Sequence, residues 1–228
     1  MKFSFYIQQK LKIAVLLFLV MGCTILIRTL EDKSVNDMNT SFKSLYNDRL
    51  IPSVLLHDIN LLLTEKNWTL EKYIQGSAEI QPDYISSVIA VNNKKIDSLL
   101  LIYDKTYIVE TEASQLKNLK TAIKEYKIQE NQVITYILNN QRGLANNLYE
   151  INAKKTYLKI SQNINYLLTT QINVGSELIN DVDDIVSGTK LYSAIQIGLA
   201  IIIGLLIMGI LFAVKSTKTA PQKDFHLN

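Results

Sequence analysis

The 228-residue chain carries 24 Lys+Arg against 21 Asp+Glu, a formal charge of +3, with 48% hydrophobic residues, one cysteine and two histidines. A single cysteine excludes an intrachain disulfide, so stability must come from burial. Three prolines and eight glycines in the whole chain suit long helices and disfavour a many-turned β fold.

Residues 1–12, MKFSFYIQQKLK, form a lysine-bearing N-terminus. Ile13 to Ile27 is then apolar throughout, and Leu11, Thr29 and Leu30 lengthen the run to a first transmembrane helix over 11–30. A cleaved signal peptide and a lipoprotein box at Val20-Met21-Gly22-Cys23 are rival readings; the apolar run continues past Cys23, which speaks against lipidation there. Residues 31–190 are expected to form an extracytoplasmic domain. Helix one runs to about Gln75 with Val35, Met38, Phe42, Leu45, Leu55, Ile59, Leu62, Leu70 and Tyr73 at spacings of three and four. Gly76 ends it, and Ser77 to Pro82 turns the chain. Asp83 is the expected cap of helix two, which carries Ile85, Ile89, Asn92, Ile96, Leu99 and Tyr103 toward Thr106. After a break at 107–111, helix three repeats Leu116, Leu119, Ile123, Tyr126, Glu130, Val133 and Ile137, and Asn139, Asn140 and Gly143 end it. Helix four shows Tyr157, Ile160, Ile164, Leu167, Gln171, Val174 and Leu178 and continues into the second apolar segment.

That segment, 191–214, has no charged residue, and its roughly 24 residues span ~36 Å as a helix, enough for a bilayer core of ~30 Å. A short tail, 215–228, follows. Lys2, Lys10 and Lys12 precede the first span and Lys215, Lys218 and Lys223 follow the second, which places both termini in the cytoplasm. The middle is then near −2, so the basic excess reports topology and gives no argument for nucleic acid. The same topology puts His57 and His226 on opposite sides of the membrane, which excludes a catalytic triad or His-based metal site within one chain. Asp181, Asp183 and Asp184 lack the later glycine and glutamate of a calcium loop, so no metal, cofactor or catalytic residue is expected.

The fold class expected is all-α, an antiparallel up-down-up-down four-helix bundle whose first and last helices continue into the two spans. Counting through the turns sets residue 108 level with about residue 50 and with Gly175, leaving a stalk toward the membrane. Pro52 frees the carbonyl of Asp48 and is expected to kink helix one as a hinge. Glu130 occupies an apolar seam and is expected level with Lys155, with Tyr73, Tyr126 and Tyr157 nearby. These five residues form a candidate site for a small polar or zwitterionic ligand; the alternative is a structural ion pair that fixes register. Ala194 and Gly198, then Ala200 and Gly204, place small residues four apart in the second span, as in helices that pair closely, so a homodimer is expected.

Tyr46, Asp48, Arg49, Leu50 and Pro52 form a Y-x-D-R-hydrophobic-x-P pattern that resembles the four-helix-bundle sensory module of bacterial methyl-accepting chemotaxis receptors. Ile7-Gln8-Gln9-Lys10-Leu11-Lys12 ahead of the first span is similar to standalone members of that group. The resemblance implies a two-pass sensor of the bacterial inner membrane, with its bundle outside. The receptors continue into a HAMP linker and a methylated signalling coil, for which 215–228 is too short. The expectation is therefore a sensor or accessory subunit acting through a membrane signalling partner, or else an interrupted receptor. A membrane-anchored structural adaptor is the alternative from another class. The family's ligand-binding arginines find no match among Arg28, Arg49 and Arg142.

Overall fold

The computed structural model describes the backbone of residues 2–76 and 81–218, and the side chains of 12–76 and 81–209. Residues 77–80 of the turn expected across Ser77–Pro82, and most of the C-terminal tail, lie outside the described residues. The elements are α1 (Lys2–Ser44), a π-helical turn (Leu45–Leu50), α2 (Ile51–Ile74), α3 (Pro82–Tyr103), α4 (Glu110–Leu138), α5 (Arg142–Leu148), a second π-helical turn (Tyr149–Ala153) and α6 (Lys154–Lys218). The chain divides into two compact units. One is Ser41–Asn180; the other is drawn from the helical segments on either side of it.

The first unit is a bundle of four rods. Rod one is the end of α1, the π turn and α2; rod two is α3; rod three is α4; rod four is α5, the second π turn and α6 as far as Asn180. Rods adjacent in sequence pack side by side, and rod four closes against rod one, so rods one and three face each other across a diagonal. The seam residues do this because each rod buries one stripe: Leu56, Ile59, Leu63 and Leu70 on rod one; Ile85, Ile89 and Ile96 on rod two; Leu119, Ile123, Tyr126 and Val133 on rod three; Tyr149, Ile160, Ile164 and Leu167 on rod four. Each aliphatic side chain removed from water contributes about 1.5–3 kcal/mol before the entropic cost of ordering it.

The rod ends follow local chemistry. Asp83 is not the cap of rod two. Gln81 holds the extended cap conformation (φ −82°, ψ 146°), Pro82 fills the first helical position, and Asp83 sits in the first turn, where its charge complements the helix dipole. At the start of rod three the Glu112 carboxylate reaches back to accept the Val109 N–H at 3.0 Å. Rod three ends on Asn140 in the left-handed region (φ 57°), with Gln141 N–H donating to the Tyr136 carbonyl at 2.8 Å and Asn140 N–H to that of Ile137 at 3.0 Å. Rod one ends on Gly76 at φ 104°, a conformation that a side chain would strain.

Pro52 is buried, and the carbonyl it cannot satisfy belongs to a π turn, in which Ile51 N–H bonds the Tyr46 carbonyl five residues back. The expected interruption of helix one is therefore a local change of winding immediately before the proline.

In the second unit, the helical segments before Ser41 and after Asn180 include two stretches long and apolar enough to cross a membrane. Phe18 is 70% exposed and Leu205 63%. Around Gly198, Gly204 and Gly209 there is open space where a side chain would begin.

Candidate functional site

Two polar layers interrupt the apolar core. The upper layer centres on Lys66 of rod one, whose Nζ lies 2.8 Å from Glu130 Oε2 of rod three and donates to Asn93 Oδ1 of rod two at 2.6 Å. Both charged side chains are completely buried, and Glu130 Oε1 has no hydrogen-bond partner. Burial pushes the Glu130 carboxyl up and the Lys66 ammonium down, each opposed by the other's charge. The ammonium also stands 5.1 Å from the centre of the Tyr126 ring, which lies 6.1 Å from that of Tyr157. Asn67 Oδ1 accepts from the Tyr149 hydroxyl at 3.0 Å and from that of Tyr126 at 3.4 Å.

The expected pair of Glu130 with Lys155 does not form. Lys155 is exposed, while Lys66 reaches Glu130 across the diagonal from a seam position of its own. It is the neighbouring Lys154 that makes ion pairs, with Glu150 at 3.0 Å and Glu71 at 3.8 Å. Tyr126 and Tyr157 do share the Glu130 layer, whereas Tyr73 is taken up by Arg142, whose guanidinium stands 5.2 Å over its ring and donates to its backbone carbonyl. No group of three or more His, Cys, Asp or Glu side chains among the described residues is placed to hold a metal ion.

The lower layer is built on Arg49, 4% exposed, at the π turn of rod one. Its Nη1 donates to both oxygens of Glu112 on rod three, at 3.2 and 3.3 Å, and to Gln171 Oε1 on rod four at 3.1 Å. The Gln171 amide donates in turn to the Tyr103 hydroxyl of rod two at 3.2 Å, so one chain of bonds ties all four rods. Burial raises the Tyr103 hydroxyl to about 12, so it stays a neutral hydrogen-bonding group. The level expected for residues 50, 108 and 175 agrees with these contacts: Arg49 lies 5.9 Å from the Tyr107 ring, and a side-chain carbon built on Gly175 meets Leu45 at 3.4 Å.

The five-residue motif divides by exposure. Arg49 and Pro52 point inward, Asp48 accepts from the Ser44 hydroxyl at 2.7 Å, and Tyr46 and Leu50 are more than half exposed. Beside them a groove of ≈ 610 Å³ runs between rods one and four, with Phe42, Tyr46, Leu50, Ile172 and Ile179 on its walls and Arg49 and Gln171 also lining it.

An antiparallel four-helix bundle with two buried polar layers defines the chain as an all-α helical-bundle module. The chain belongs to the four-helix-bundle sensory modules for signal transduction, whose family model matches residues 4–186. No individual curated protein matches it.

Proposed function

We propose that the chain is a two-pass sensor of the bacterial inner membrane, similar to chemotaxis receptors, with both termini in the cytoplasm and its bundle outside. On this reading the domains are a cytoplasmic N-terminus (1–12), a first span (11–30), the sensory bundle (31–190), a second span (191–214) and a cytoplasmic tail (215–228). The observation that carries it is one of continuity. The apolar segments belong to the same helices that supply rods one and four, and α6 runs unbroken from Lys154 to Lys218. A small ligand that shifts rod four against rod one by an ångström or two passes that motion along the spans to a membrane signalling partner. Open space beside Gly198 and Gly204 supports close pairing of the second span with that of another copy, as a homodimer in the bilayer.

The test is topological. A reporter enzyme active only outside the cytoplasm is inserted in the connection at 105–108, and the same reporter is fused after Lys218. Activity at the first position and silence at the second is the expected result; the reverse pattern overturns the reading.

A further inference from the structure

The guanidinium of Arg49 is only half used. All its hydrogen bonds among the described residues come from Nη1, and the buried Nε has no partner. What remains is the Nε–Nη2 edge, two parallel donors spaced to grip a carboxylate with two bonds. Arg49 lines the groove, whose other lining is largely apolar: Phe42, Leu45, Leu50, Ile172 and Ile179, with Tyr46 at one side. A concave, mostly apolar slot of this size with a few polar groups, Arg49 and Gln171 buried and Ser53 and Ser176 beside them, has the composition of a small-molecule site. We propose that it binds a small amphiphilic carboxylic acid, its aromatic or branched-aliphatic body between rods one and four and its carboxylate on the free edge of Arg49.

Glu112 already balances the guanidinium charge, which limits affinity to a reversible range, roughly 0.1 mM for an acid of about a dozen heavy atoms. Reversibility suits a detector. The site also bears on Gln171, because an acid pulling on Arg49 loads the bond between Arg49 and rod four. This inference rests on the sensor reading above and adds to it a place and a ligand class.

The experiment uses the full chain in lipid nanodiscs with 4-phenylbutanoate as probe and 4-phenylbutanamide as control, followed by backbone hydrogen exchange. The acid is expected to slow exchange in residues 42–53 and 171–179, and the amide, which lacks the charged head, to act about tenfold more weakly. Ile172→Glu places a like charge on the wall at a side chain already 69% exposed, so the thermal midpoint without probe stays unchanged and the protection disappears. Absence of protection, equal protection by acid and amide, or an unaltered response in Ile172→Glu overturns the proposal. Protection of the same residues that grows with protein concentration without probe also overturns it, because the occupant is then a second copy. Protection confined to another level of the bundle removes this site and leaves the sensor reading standing, which falls only with the reporter test.

Discussion

Lys66 and Glu130 show how two buried charges hold each other in place. Removing one partner leaves the other buried and unpaired, so Lys66→Met is expected to cost about 3–5 kcal/mol at pH 8 in unfolding measurements. The sign of its pH dependence follows from Glu130, whose carboxyl is already raised by burial and rises further without the cation. A raised carboxyl pKa means that the folded chain binds the proton more tightly than the unfolded one, whose value is about 4.3. The loss is therefore full above the folded-state pKa and shrinks as pH falls toward the unfolded value, by up to about 1.4 kcal/mol per pH unit. A variant that is equally unstable at pH 5 and pH 8 contradicts this account. Lys66→Met combined with Glu130→Leu removes both charges and is expected to return to within about 1–2 kcal/mol of the parent or exceed it. In the lower layer, Tyr103→Phe deletes only the acceptor of the Gln171 amide and is expected to cost about 1 kcal/mol.

At the scale of elements, the rods end where the backbone needs an unusual conformation. Gly76→Ala forces a side chain onto φ 104°, and a loss of about 1 kcal/mol or more is expected by thermal unfolding; Asn140→Val, at φ 57°, should cost about 1–2 kcal/mol for the same reason. The number and order of the rods were legible in the 3-4 spacing of apolar residues, and the inter-rod register followed from the turns, but the cap and end of rod two lie a few residues from those expected. The partners within the polar layers were less so, because a stripe counted from apolar residues alone passes over its charged members. The buried stripe of rod one is Arg49, Pro52, Leu56, Ile59, Leu63, Lys66 and Leu70, an unbroken alternation of three and four; that of rod three opens with Glu112 four residues before Leu116 and includes Glu130. Two cations on one seam and two anions on the diagonal seam were therefore written in the sequence. The π turns were not, since an extra residue per turn leaves no compositional mark beyond the proline that follows the first of them.

For the whole molecule, the family places a sensory module on the chain, and two of its helices are long and apolar enough to cross a membrane. The two-pass reading proposed above predicts that protease added to intact cells cleaves within Ser41–Asn180, while an epitope placed after Lys218 is detected only once the membrane is opened; cleavage confined to opened cells would contradict it. The paired cations and anions also decide which parts can slide. Arg49 to Glu112 and Lys66 to Glu130 fasten the same two rods at two heights about 17 residues apart, roughly 26 Å along the axis. Two bolts through one pair of beams forbid both slippage and twist between them, and among the described residues no buried ion pair reaches rod four. Rods one and three thus act as a fixed frame, and rod four is the plunger: tension applied along the chain should release it first while the bolted pair still holds.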